Sequence, residues 1–116
     1  MADPAFNVPD ALGRLMNNKN LYKKLLDKFG AGYADYEEKV VAAFGGSNFE
    51  DAVHLSHTMK GLAGNLGATA LQEASLALEI IAKGGAKTAE LDGALEKFSV
   101  ELKRALKEIA EGVDLG

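Results

Sequence analysis

The chain has 116 residues, of which 47% are hydrophobic and 26% are charged, with a formal net charge of −4. This composition is typical of one globular domain, and it disfavours a disordered chain and a nucleic-acid-binding protein. Because the chain has no cysteine, no roughly 18-residue apolar run and no signal-peptide pattern, we expect a cytoplasmic protein without disulfides, sulfur-bound metal or a membrane partner.

The first half of the chain predicts two helices. Apolar spacing predicts a short helix that starts after Pro9 and stops near Asn18. A long helix is predicted from about Lys19 to Phe44, because residues three and four apart stay apolar throughout. Gly30 and Gly32 interrupt this pattern, so the helix can bend there. Gly45 and Gly46 are expected to end it.

A third helix follows with clear boundary signals. Ser47 and Glu50 have the spacing of a capping box, in which the hydroxyl caps the helix and the carboxylate lies three residues later. The helix is predicted to run to about Leu66 and to be closed by Gly67.

The last two helices complete the predicted fold. Thr69 is predicted to cap the fourth helix, which ends at Gly84–Gly85, and Thr88 to cap the fifth, with apolar positions from Leu91 to Ile109. Strand-like alternation is missing, so the fold class is all-α. Short connections favour an antiparallel up-down four-helix bundle with a short additional N-terminal helix. We expect one monomeric domain over 1–116, with the bundle core at roughly 10–112.

His57 is the most informative residue of the third helix. The predicted buried seam consists of Leu55, Met59, Leu62 and Leu66. At about 100° per residue, His57 points away from this seam, and Gly61 and Gly64 share its face. A glycine inside a helix costs about 1 kcal/mol relative to alanine. We therefore interpret the face as a surface kept clear around an exposed imidazole.

The residue types on this face suggest phosphoryl chemistry. A neutral imidazole keeps a lone pair that can attack a phosphoryl group, and Lys60, one turn along, can offset the charge of that group. The sequence has neither a Walker-type loop nor an acidic cluster to hold magnesium beside a nucleotide. Such a chain would depend on its partner for catalysis.

These residues resemble the signature of histidine-containing phosphotransfer (Hpt) domains. The resemblance lies in the run from His57 to Gly61, in Ala63–Ala68, and in the later Leu71, Ala74 and Leu78–Glu79. The segment Leu21–Phe29 is similar to the first long helix of the Hpt domains found at the ends of hybrid sensor kinases. The similarity covers roughly residues 10–110.

The resemblance implies a carrier in a multistep phosphorelay. It implies His57 as the phosphoacceptor, Lys60 as charge support and Gly61 as the residue that gives access to the ring. It implies a receiver domain of a response regulator as partner, or a hybrid sensor histidine kinase. That receiver would supply magnesium and its own aspartate, so this chain would need no cofactor and would not itself be an enzyme. We assign Gly64 and His54 to the partner-binding surface.

Three alternative functions remain for His57. It could ligate a metal with His54 and Glu50, but Glu50 lies about 10.5 Å away along the helix axis, too far to share one ion. A hydrolase is disfavoured because we find no carboxylate spaced to orient His57. A structural adaptor would explain the bundle but would leave the cleared histidine face without a purpose.

Overall fold

The computed structural model describes residues 4–115, and within that range the protein contains six helices and no strand. The all-α prediction is confirmed, whereas residues 1–3 and 116 of the predicted domain lie outside the described residues. The helices are α1 (Val8–Arg14), α2 (Lys19–Gly32), α3 (Tyr36–Gly45), α4 (Phe49–Leu66), α5 (Thr69–Lys83) and α6 (Leu91–Glu111). No helix in this part of the chain has the length and apolarity needed to cross a membrane.

The predicted long helix is in fact two helices, so the expectation of one helix to Phe44 is wrong. α2 ends at Gly32, and the chain leaves helical geometry at Tyr33 before α3 begins at Tyr36. Glycines in the last turn weaken the helix. Aromatic contacts hold the two parts together, because the Tyr33 ring lies 5.0 Å from that of Phe29 and 5.4 Å from that of Tyr36. Both parts bury residues in the same core, which explains why the apolar spacing continues across the break.

The predicted N-caps are each displaced. The α4 cap is Asn48, whose side chain accepts a hydrogen bond from the backbone N–H of Asp51 at 3.1 Å, while Ser47 has a left-handed backbone with φ of 56°. The Ser47–Glu50 capping box is therefore wrong. The N-caps of the last two helices are Ala68 and Glu90, and neither makes a side-chain cap, so Thr69 and Thr88 do not cap them.

The predicted stop of α4 at Gly67 is confirmed. Gly67 has a φ of 78°, which is the left-handed conformation that ends many helices. Its carbonyl accepts a hydrogen bond from the N–H of Asn7 at 2.7 Å. A Cβ at Gly67 would lie 2.5 Å from the carbonyl oxygen of Asn7. Glycine is thus needed both for the turn and for the close approach of the N-terminal segment.

The helices enclose one core. α4 packs on α5, α5 on α6, and α6 on α2 and α3, which in turn pack on α4. The contact between α4 and α5 is the most extensive. Each of these five helices contributes large, fully buried side chains to the core. They include Tyr22, Phe44, Met59, Leu78 and Phe98.

The buried side of α4 differs from the predicted seam. Ala52, Ser56 and Ala63 are fully buried, as is Met59, whereas Leu55 and Leu62 are only partly buried. The core side is therefore rotated by about 60° from the predicted direction. Small residues allow α5 to approach α4 closely, and the dense packing of the two helices outweighs deeper burial of the two leucines.

Candidate functional site

His57 lies on the exposed side of α4, as the sequence predicts. Its side chain is 66% exposed, and its Nδ1 lies 3.0 Å from Oε2 of Glu79 on α5. The sequence-based expectation that no carboxylate orients His57 is wrong. Glu79 is 22 residues away in the chain, so only the packing of α4 on α5 brings the two side chains together.

Glu79 is a buried carboxylate with three basic neighbours. Its side chain is 2% exposed, and the Nζ atoms of Lys60 and Lys83 lie 2.7 Å from Oε1 and 3.2 Å from Oε2, respectively. The hydrogen bond from Lys60, with those from Lys83 and His57, outweighs the opposing effect of burial and lowers the pKa of Glu79 to about 2. Glu79 is therefore ionised at neutral pH.

The ionised Glu79 fixes the proton on His57. A carboxylate without a proton can only accept hydrogen bonds, so the hydrogen of the 3.0 Å contact must be on Nδ1 of His57. In a neutral imidazole this leaves the lone pair on Nε2. The exposed ring thus presents a nucleophilic nitrogen, while its other nitrogen is anchored to the protein.

Lys60, one turn along α4 from His57, contacts the same carboxylate as the ring. It points along the α5 side of α4, is 28% exposed and pairs with Glu79. Lys60, Lys83 and Glu79 together carry a net charge of +1 beside the ring. This local positive charge is suited to a ligand group with negative charge near His57.

The two predicted access glycines have different surroundings. A Cβ at Gly61 would meet no atom within 4 Å, so this part of the helix surface is open. Gly64 is buried, and a Cβ there would lie 2.6 Å from Nε2 of Gln72 on α5. The prediction that Gly64 faces outward is wrong, because the core side of α4 is rotated. His54 is exposed one turn before His57.

Sequence reasoning missed several side chains near the ring. Glu79 entered only as part of the family pattern, and Lys83 did not enter at all. On α5 the exposed Leu76 and Ile80, 43% and 62% accessible, lie on the outward side next to Glu79. In the sequence, the available signal for this surface was a pair of large apolar residues that lie off the predicted apolar face of the helix.

A metal site is not formed by the predicted alternative ligands. Within residues 4–115, no group of three or more histidine, aspartate or glutamate side chains is placed to hold a metal ion. The polar neighbours of His57 are instead one carboxylate and its lysines.

Comparison with known proteins identifies the family. The Hpt domain family model matches residues 24–112, and the chain belongs to the Hpt domain family. Hpt domains take part in phosphorelays by transferring phosphoryl groups through a histidine. Comparison with curated proteins finds no match.

The fold is also similar to a solved structure. Histidine-containing phosphotransfer protein B (HptB) from Pseudomonas aeruginosa PAO1 superimposes with a TM-score of 0.80, and the match covers 95% of each chain. The two sequences are 20% identical, so the likeness establishes a shared fold.

Proposed function

We propose that His57 carries a phosphoryl group between two receiver domains in a multistep phosphorelay. The exposed ring, with Nδ1 held 3.0 Å from a buried carboxylate, is the observation that supports this role most strongly. In the proposed step, the Nε2 lone pair forms a bond to phosphorus. The bond from phosphorus to the aspartyl oxygen of the receiver breaks, and the aspartate leaves as a carboxylate.

Glu79 would stabilise the charge that forms on the ring. Attack through Nε2 leaves the Nδ1 proton in place, so the imidazole becomes positively charged as the new bond forms. The adjacent carboxylate favours that charge and keeps the ring in one orientation. We infer that Glu79 is a positioning residue, because it touches the ring and not the phosphoryl group.

Lys60 and Lys83 would act on the phosphoryl group. A phosphoryl group on nitrogen brings up to two negative charges next to a cluster whose net charge is +1. Either lysine can turn from Glu79 toward the new oxygens, since Lys83 in particular has a side chain that is 63% exposed. The charge support assigned to Lys60 is therefore shared between two lysines in this proposal.

The partner would dock over the exposed side of α4 and the neighbouring edge of α5. Gly61 leaves room beside the ring, His54 lies at the rim, and Leu76 and Ile80 offer apolar contact. We infer a receiver domain of a response regulator as the partner, either free-standing or within a hybrid sensor histidine kinase. The receiver would supply magnesium and catalysis to a cytoplasmic, monomeric carrier. In this proposal α2 and α3 share one position of an up-down four-helix bundle.

A label-transfer experiment tests the proposal. A receiver domain from the source organism is phosphorylated with radiolabelled acetyl phosphate and magnesium, freed of excess reagent, and mixed with the protein. We expect label on this chain that is lost in acid and kept in alkali, as for a phosphorus–nitrogen bond. His57→Gln should abolish it, and His54→Gln should retain it. Label on His57→Gln would contradict the site.

The same experiment separates a carrier from a hydrolase. A histidine oriented by a carboxylate is also the arrangement of a general base. A carrier returns its label to a second, unphosphorylated receiver. Release of inorganic phosphate without a labelled intermediate, dependent on His57, would instead support hydrolysis.

A further inference from the structure

A groove lies where the break between α2 and α3 faces α4. Its volume is about 540 Å³, within the range of roughly 300–1,000 Å³ of small-molecule sites. The walls are mainly apolar and aromatic, and the side chains that matter most are Leu25, Phe29, Tyr33 and Leu62. Leu25, Tyr33 and Leu62 are only partly buried, so apolar surface remains exposed inside the groove.

Aromatic rings on both sides of the helix break form one wall of the groove. The rings of Phe29 and Tyr33 are stacked, with an angle of 20° between their planes, and the ring of Tyr36 lies next to Tyr33. The Tyr36 hydroxyl donates a hydrogen bond to the Leu55 carbonyl at 2.7 Å, which fixes this wall to α4. These ring contacts and the hydrogen bond hold the aromatic wall in one arrangement, so it is preorganised for a ligand.

Two lysines give the groove its charge. Lys28 and Lys39 both line it and are both exposed. Lys39 pairs weakly with Asp35 at 3.9 Å, whereas Lys28 forms no ion pair with any residue from 4 to 115. The ammonium groups thus contribute local positive charge to a domain whose formal net charge is −4. Apolar walls with cationic groups at the edge favour a ligand that is apolar at one end and anionic at the other.

We propose that this groove binds a small amphipathic anion, with a flat or aliphatic body against Phe29 and Tyr33 and an acidic group near Lys28 and Lys39. The site is separate from the phosphoacceptor face. Leu62 is about 140° from His57 around α4, so a ligand in the groove would not touch the imidazole. The proposal does not depend on the proposed phosphotransfer function.

A matched pair of probes tests the charge requirement. 8-Anilinonaphthalene-1-sulfonate carries a sulfonate, and N-phenyl-1-naphthylamine has the same aromatic body without it. Binding of each is followed by fluorescence titration, and the stoichiometry of the sulfonate by calorimetry. We expect saturable binding of one sulfonate per chain. Lys28→Gln with Lys39→Gln should weaken it about three- to tenfold and leave the neutral probe within about twofold. The matched control is Lys24→Gln, one turn earlier on α2.

A cavity-filling variant tests the location. A Cβ at Gly32 would meet nothing within 4 Å, and Gly32 lines the groove, so Gly32→Leu adds apolar bulk at the wall of the groove. We expect both probes to bind at least tenfold more weakly. Gly93→Leu on α6, which is equally open, should leave both affinities unchanged. Leu62→Phe fills the groove from the opposite wall and replaces Gly32→Leu if that variant shows altered circular dichroism.

Several results would overturn the proposal. The first is probe binding that does not saturate. The second is an equal loss of affinity for both probes when Lys28 and Lys39 are replaced. The third is unchanged affinity in both Gly32→Leu and Leu62→Phe. A dimer of the unliganded wild type, detected by sedimentation and dissociated by Gly32→Leu, would assign the groove to a second copy of the chain instead.

Discussion

Gly61 and Gly64 lie three residues apart on the same helix, and their surroundings are opposite. Gly61 faces open space, whereas a Cβ at Gly64 would be 2.6 Å from the Gln72 side chain. The first glycine leaves the surface beside His57 clear, and the second leaves room for the end of the Gln72 side chain of α5. The two glycines therefore have different physical roles, one at the surface beside His57 and one in the contact between α4 and α5.

The largest stability effect is expected at the buried glycine. Gly64→Leu should lower the free energy of unfolding by about 2–3 kcal/mol, because the added side chain has to enter the interface of α4 and α5. Urea unfolding followed by circular dichroism measures this. Gly61→Leu is the control with the same added atoms, and an equal loss in both variants would contradict the distinction between the glycines.

The exposed glycine should affect transfer instead. Gly61→Leu is expected to raise the free energy of unfolding by about 0.5–1 kcal/mol through helix propensity. It should slow phosphoryl transfer about tenfold, because the side chain hinders approach to His57. The rate of label loss from a phosphorylated receiver measures this effect. Gly93→Leu provides the same gain in propensity away from the site, and a similar slowing there would refute the steric explanation.

Glu79 connects α5 to α4 through its negative charge, because it pairs with basic side chains on both helices. Its pKa is lowered from an unfolded value near 4.5 to about 2, so its ionised form stabilises the folded state fully above about pH 4.5. That contribution is lost as the pH falls toward 2. Glu79→Gln should cost about 1–3 kcal/mol at pH 7, and the difference from wild type should shrink below pH 4.5.

Urea titrations from pH 7 to pH 3 measure this dependence. The matched control is Glu73→Gln, an exposed position on the same helix. A difference for Glu79→Gln that stays constant over this range would show that the carboxylate is not stabilised by its lysine and histidine neighbours.

The smallest stability effect is expected for the contact between Gly64 and Gln72. The atoms nearest to an added Cβ are the end of the flexible Gln72 side chain. Gly64→Ala should therefore cost only about 0.5 kcal/mol in the wild type, and should become stabilising by a similar amount in a Gln72→Ala background. A double-mutant cycle by urea unfolding measures the coupling. Additive effects would mean that Gln72 does not limit the space at Gly64.

Much of the fold follows from local patterns. Apolar spacing predicted the helical segments but not the break at Tyr33 that separates α2 from α3. Gly67 marked the end of α4 correctly. The caps were less predictable. Adjacent polar residues such as Ser47 and Asn48 can both fill that role, and the choice depends on how the chain enters the helix.

The sequence alone determined the all-helical class, the membership of His57 in an exposed helical face, and the family pattern, because these depend on residue type and on spacing within one helix. Only the tertiary structure decided that Gly64 is buried, that Glu79 orients His57, and that a helix break forms a groove. Such contacts join residues distant in the chain. They depend on how closely two helices approach, which small residues such as Ala63 and Gly64 control more than the large leucines that dominate a hydrophobic pattern.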